Sequence, residues 1–97
     1  PFTYILYSST IDKYYIGATQ TSLDERLENH NSYAYGKSHF TAQADDWKLV
    51  LSFKAKDYSH AIRLERKIKS MKSRVFISNL IKYSELREKI YNETLST

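Results

Sequence analysis

Residues 2–18 read Phe2-Thr3-Tyr4-Ile5-Leu6-Tyr7, then Ser8-Ser9-Thr10-Ile11-Asp12, then Lys13-Tyr14-Tyr15-Ile16-Gly17-Ala18. The two outer blocks are aromatic and β-branched, the residue types that pack well on a pleated surface, and each predicts a strand. The middle block is small and polar and predicts a turn, so the chain opens with a β-hairpin. Side chains alternate between the faces of a strand. Tyr15 and Gly17 therefore share one face, and Tyr14 and Ile16 the other. The glycine clears space beside a phenol. Tyr4 and Tyr15 are symmetric about Ser9-Thr10 and are expected side by side on neighbouring strands, an arrangement that cross-strand packing alone also explains.

Outward from the hairpin, Ser22 with Glu25 three residues on forms a capping box, which predicts a helix running to about Tyr33. Residues 34–46 are polar around Gly36 and predict a loop. Residues 47–55, Trp-Lys-Leu-Val-Leu-Ser-Phe-Lys-Ala, predict a third strand. Asp57 or Ser59 is placed to cap a second helix over about 59–72. Residues 75–82 and 84–94 predict one broken helix or two short ones. The order ββαβα plus a C-terminal helix is an α+β layout with a small antiparallel sheet.

The 97 residues are expected to form a single domain, 1–97. The absence of cysteine excludes a disulfide scaffold, a cysteine nucleophile and a thiolate zinc site. With Gly17 and Gly36 the only glycines, neither a P-loop nor a dinucleotide fingerprint can be written. No apolar run approaches the roughly 20 residues of a membrane span. Pro1-Phe2-Thr3-Tyr4 lacks a leader pattern, so a cytoplasmic domain with no membrane partner is expected.

The net charge of +4 is unevenly spread. Residues 1–62 carry −1 and residues 63–97 carry +5. Most of the excess lies in Arg63-Leu64-Glu65-Arg66-Lys67-Ile68-Lys69-Ser70-Met71-Lys72-Ser73-Arg74, with six basic residues and one acid. Such a run fits a phosphate-backbone binder, and equally a solvated helix face.

Three further residues carry chemical potential. In the first helix, Leu23 and Leu27 mark the buried stripe. Arg26 and His30, spaced i,i+4, flank it on one face and form a candidate anion site: a planar fork of donors beside a proton carrier. In the second helix, Ala61, Leu64, Ile68 and Met71 form the apolar stripe and Glu65 sits at its edge, leaning inward. An inward carboxylate needs a partner. Lys69 at i+4, Arg26, or a hard cation such as Mg²⁺ are the candidates. His39 and Thr41, in the loop before Trp47, are phosphate-contact candidates or ordinary surface.

These residues together resemble the GIY-YIG nuclease superfamily, in particular its short stand-alone bacterial members. The chain is also similar to the N-terminal nuclease domain of the excision-repair excinuclease. Phe2-Thr3-Tyr4 stands at the first motif, with its tyrosine but without its glycine. Tyr15-Ile16-Gly17 is the second motif intact. Leu23-x-x-Arg26-Leu27-x-x-His30 looks like the helix of the family's arginine and histidine. Asp46-Trp47-Lys48-Leu49-Val50 resembles the third strand, and Arg63-Leu64-Glu65 the helix of the metal-binding glutamate. An asparagine that better-known members carry about twelve residues further on has Ile77 in its place. Asn79 is out of register and no role is carried to it.

The resemblance implies a three-stranded antiparallel sheet flanked by helices and metal-dependent hydrolysis of a DNA phosphodiester, with DNA repair or recombination as the expected setting. Tyr4, Tyr15, Arg26, His30 and Glu65 would then be catalytic, with Glu65 holding Mg²⁺ or Mn²⁺. Arg63, Arg66, Lys67, Lys69, Lys72 and Arg74 would grip the DNA backbone without reading bases. A protein partner or a homodimer would supply selectivity. The base is left open between Tyr4, Tyr15 and His30. A free tyrosine titrates near ~10, so ionising it at pH 7 costs about 4 kcal/mol at ~1.36 kcal/mol per unit, whereas a histidine titrates near ~6.5. The competing expectations are a module of the same fold that binds nucleic acid without cutting it, and a protein-interaction domain that buries its tyrosines at a partner surface.

Overall fold

The computed structural model describes residues 1–36 and 39–96; Lys37 and Ser38 of the expected loop lie outside them. The elements are β1 (Phe2–Ser8), β2 (Lys13–Thr19), α1 (Leu23–Asn31), a 3₁₀ turn (Phe40–Gln43), β3 (Lys48–Lys54), α2 (Tyr58–Ser70), α3 (Arg74–Lys82) and α4 (Ser84–Glu93). The three strands form one antiparallel sheet in the order β2-β1-β3, so the first strand is central. This is the expected α+β fold, with the C-terminal region resolved into two helices.

Alternation along the strands assigns two cores. Ile5 of β1 and Phe53 of β3 face α2, packing with Ala61, Leu64 and Ile68, and the cluster extends to Ile77, Leu80 and Ile90 of α3 and α4. The Thr3 hydroxyl on this face donates to the Ala61 carbonyl of α2 at 2.7 Å. Tyr4 and Leu6 point to the opposite face and pack with Ala44 and Trp47, flanked by Tyr15, Leu23 and Leu27. The register of β3 against β1 shifts between Ile5 and Leu6, which pair with Leu51 and Leu49. The bulge lets Val50 join the α2-side cluster instead of turning away from it.

The hairpin register differs from the symmetric one expected. Tyr4 pairs with Gly17, and Tyr15 pairs with Leu6. The offset is two residues, so both tyrosines keep the same face and meet diagonally, with ring centroids 6.4 Å apart. Gly17 therefore makes room for the Tyr4 ring lying directly across it. A Cβ at position 17 would sit 2.5 Å from Tyr4 Cζ and Oη and 3.1 Å from Tyr15 Cε2.

Asp46 fastens the hairpin tip to the segment entering β3. Its carboxylate accepts from the hydroxyls of Ser8, Ser9 and Thr10 and from the Thr10 backbone N–H. These donors, the Ser8 hydroxyl foremost, hold its carboxyl well below the usual carboxylate range.

Three of the four α-helices among the described residues start on side-chain caps: Ser22 for α1, Asp57 for α2 and Ser73 for α3. The expected apolar stripe of α2 is shorter than its pattern. Met71 lies just past the last helical residue and is exposed, and buried His60 takes a place at the other end. His60 Nδ1 accepts the Lys56 N–H at 3.0 Å, and Nε2 reaches the Tyr91 carbonyl and the Thr94 hydroxyl, tying the start of α2 to the end of α4.

Two outcomes follow. Gly17→Ala should lower the urea midpoint by the equivalent of about 1–3 kcal/mol, the usual range for forcing an atom into a filled space. A variant as stable as the parent would mean that Tyr4 moves aside at no cost. Because the folded Asp46 carboxyl titrates below its ordinary 3.8, its contribution is complete above that value and lost as pH falls beneath it. Asp12, depressed by Arg74 and Tyr7, shares the window. The measure is therefore a difference: Asp46→Asn should lose less stability than the parent on acidification below about pH 4, and parallel acid slopes would refute it.

Candidate functional site

Tyr4 on the central strand is 1% exposed, so its phenol must find partners inside the protein. It has three. Arg26 Nε and Nη2 lie 3.3 and 3.2 Å from the phenol oxygen and donate to it. His30 Nε2 lies 3.0 Å away. The i,i+4 spacing on α1 delivers both groups to one atom. His30, expected to flank the apolar stripe, is instead the most buried residue of the helix.

Around this pair the site is aromatic. Tyr15 lies 4.8 Å from the His30 ring centroid and Tyr35 4.7 Å. The Arg26 guanidinium sits 4.8 Å over the Tyr35 ring, a cation–π contact that fixes its plane. The Tyr35 hydroxyl is buried and has no partner among the described residues. His30 Nδ1 lies 2.8 Å from Thr41 Oγ1, and His39 Nδ1 lies 3.0 Å from the same oxygen. The loop carrying Thr41 is itself anchored. The Trp47 indole N–H donates to the Thr41 carbonyl at 2.8 Å, and Asn31 at the end of α1 exchanges two hydrogen bonds with the Trp47 backbone.

The electrostatics follow from burial. Desolvation pushes the Tyr4 phenol up to about 12, against the opposing pull of Arg26. Desolvation, with Arg26 and His39 adding to it, pushes His30 down to about 4. Both shifts favour the neutral pair. From a pKa of about 12, a Tyr4 phenolate at pH 7 costs about 7 kcal/mol at ~1.36 kcal/mol per unit. Burial also raises the Tyr15 phenol, while Lys69 and Arg26 lower it and Glu65 raises it. Glu65 and Lys69 of α2 thus act across space on a phenol whose strand neighbour contacts α1.

Glu65 is largely covered, with its side chain 17% exposed, and its Oε2 accepts from Lys69 Nζ at 2.8 Å. Of the two protein partners expected for it, Lys69 and Arg26, the contact is with the i+4 lysine. Among the described residues no group of three or more acidic or histidine ligands could hold a metal. One carboxylate fits a hard cation only in the manner of Mg²⁺ sites completed by water and substrate phosphate.

The basic run divides. Arg66, Lys69 and Lys72 are exposed. Lys67 pairs loosely with Glu93 at 3.8 Å. Arg74 forms an ion pair with Asp12 at 2.8 Å. Arg63, expected on an exposed face, instead donates to the Thr94 and Leu95 carbonyls at 2.7 and 2.8 Å and so closes the end of α4. Ile77, at the family's asparagine position, is core.

Sequence reasoning missed Tyr35, and it weighed Thr41 and His39 as phosphate contacts or surface. Thr41 is 1% exposed and faces inward. Its signal was faint: a β-branched hydroxyl two residues after a histidine, in a loop with no periodicity.

With its pKa depressed from 6.5 to about 4, folded His30 binds its proton later than the unfolded chain does. Its neutral burial is fully tolerated above pH 6.5 and becomes destabilising as pH falls toward 4. The imidazole resonances of His30 should therefore hold still between pH 8 and about 5; a midpoint near 6.5 would contradict its environment.

A family model described as the GIY-YIG catalytic domain matches residues 1–79. No curated protein and no solved structure matches the chain. The matched span runs from β1 into α3 and takes in the hairpin, the Arg26–His30 helix and Glu65. On that match, and on the three-stranded fold that carries it, the chain belongs to the GIY-YIG catalytic domain family.

Proposed function

We propose that this GIY-YIG domain is a divalent-cation-dependent DNA endonuclease that hydrolyses a phosphodiester bond with Tyr4, Tyr15, Arg26, His30 and Glu65. Family membership supports the coarse part, nuclease chemistry with DNA as substrate. The observation that carries the finer part is the convergence on one phenol oxygen. Arg26 and His30, from one helix, meet Tyr4 of the central strand, with Tyr15 beside them.

The roles follow from what each group has left to offer. Arg26 uses Nε and Nη2 on Tyr4, and its remaining N–H groups are available to phosphoryl oxygens as negative charge builds on them. His30, kept neutral, accepts a proton from the Tyr4 hydroxyl when that hydroxyl takes one from the attacking water. Tyr15, under the opposing influence of Lys69 and Glu65, orients water or phosphate at the mouth of the site. Glu65 would hold Mg²⁺ or Mn²⁺, which when bound supplies Lewis-acid stabilisation of the scissile phosphate. Arg66, Lys69 and Lys72 are the exposed cations of the backbone grip. Lys67 assists, and Arg63 and Arg74 contribute to it less because carbonyls and Asp12 occupy their donors. A place in DNA repair, and selectivity through a partner or a second copy, belong to the same reading. No helix among the described residues is long and apolar enough to cross a membrane.

One observation favours the second reading, a module that binds without cutting: the Glu65 carboxylate is already occupied by Lys69. Plasmid nicking with Mg²⁺, with Mn²⁺ and with EDTA separates the two. Under the nuclease reading nicking requires the cation, and Glu65→Gln removes it while DNA binding stays within about twofold; undiminished nicking by that variant excludes the metal role. The grip is tested independently. Replacing Arg66 and Lys72 by Gln should flatten the plot of log affinity against log salt by about two phosphate contacts, roughly 0.9 per contact. An unchanged slope places the DNA elsewhere.

A further inference from the structure

The hydrogen bonds around His30 admit one arrangement of protons. The Tyr4 oxygen receives two N–H donors from Arg26, which fill its acceptor positions, so its own proton must point to His30 Nε2. His30 is then protonated at Nδ1 and donates to Thr41 Oγ1. The far end leads to the same orientation independently. His39 caps the 3₁₀ turn by accepting the Thr41 backbone N–H at Nδ1, so that nitrogen is bare, and its one lone pair is shared between that N–H at 3.3 Å and the Thr41 hydroxyl, which donates to it at 3.0 Å. Both ends require a single direction: Arg26 to Tyr4, Tyr4 to His30, His30 to Thr41, Thr41 to His39. His39 is half-buried as a residue, whereas Tyr4, His30 and Thr41 are each 1% exposed or less.

We infer that Thr41 and His39 complete a proton path that carries the Tyr4 phenol proton through His30 to the protein surface. The inference rests on the nuclease reading above. In the transfer, the Tyr4 O–H bond breaks as an N–H bond forms at His30 Nε2. The His30 Nδ1 proton passes to Thr41 Oγ1, and the Thr41 hydroxyl proton passes to His39 Nδ1. His39 becomes an imidazolium and releases its Nε2 proton to solvent. As the phosphate draws one Arg26 N–H off the Tyr4 oxygen, the attacking water takes its place and returns a proton to Tyr4. The water oxygen bonds to phosphorus while the bond from phosphorus to the leaving sugar oxygen breaks, and that oxygen takes a proton from solvent. A proton halted at His30 would leave a buried cation beside Arg26, whereas at His39 it sits on a residue that is only half-buried. Among the described residues, the groups facing His30 are Tyr4, Tyr15, Arg26, Tyr35, His39 and Thr41, of which Arg26 is the charged one, and those facing His39 are Tyr15, His30, Tyr35 and Thr41. In this scheme Thr41 is a positioning residue and His39 the exit.

Two measurements test it. The ring ¹⁵N shifts of the DNA-free protein should show His30 protonated at Nδ1 and His39 at Nε2, and Thr41→Val should disturb both. A His30 protonated at Nε2 overturns the path, and this holds even if the wild type proves to cut nothing and the nuclease reading fails. In the active protein, Thr41→Val should lower kcat by about 10- to 100-fold, the usual span for a proton-transfer element. DNA affinity should be unchanged and Thr41→Ser should restore the rate. His39→Gln should lower kcat over the same range with DNA affinity unchanged. Folded Thr41→Val and His39→Gln proteins with the parental kcat would refute the path.

Discussion

A tyrosine hydroxyl buried in the middle of a sheet face has to be satisfied from within, and the surroundings of Tyr4 are built around that requirement. Gly17, paired with it across the hairpin, leaves room for the ring. Arg26 and His30 reach its oxygen from one helix. Each of these then makes its own demand. Arg26 sits over the Tyr35 ring. His30 needs a partner for its second nitrogen and finds Thr41, which is held in place through Trp47 and Asn31. A single unsatisfied hydroxyl costs about 1–3 kcal/mol, a noticeable fraction of the stability of a domain this small. The network around it is thus structural before it is chemical.

The opposite face of the sheet has a different task. There α2 is set by apolar packing, by Thr3 on Ala61, and by His60 and Arg63, which bind its first turns to the end of α4. The result is a fixed helix whose covered Glu65 and exposed Lys69 extend their field to the Tyr15 phenol. Acid and phenol approach from opposite layers, and rigid layers are what keep such a separation constant.

Much of this was legible in the residues. Strand composition and the small polar turn predicted the hairpin, Ser22 and Asp57 marked helix starts, and Leu23-x-x-Arg26-Leu27-x-x-His30 placed the two polar groups on one helical face. Register was not legible to the same degree. Symmetry about Ser9-Thr10 aligned Tyr4 with Tyr15, whereas the turn and Asp46 set a pairing two residues away. Parity of the alternation survived that error, because a shift of two returns every side chain to the same face. Met71 satisfied the apolar spacing of α2 but fell beyond its last turn, where it is exposed.

What the sequence alone determined is whatever repeats along the chain: period two for strands, i,i+4 for helix faces, caps at helix starts, and motif order that points to the GIY-YIG family. What the tertiary structure decided is the partner of each buried polar atom. Of the two protein partners open to Glu65, Lys69 and Arg26, the lysine is the one in contact. Thr41 and His39 read as a polar loop, and the folded chain places one hydroxyl between two imidazoles. The physical reason is range. Backbone preference acts over a few residues, but a hydrogen bond depends on a separation of about 3 Å in space, and that distance is fixed only when strands, helices and loop have closed on one another.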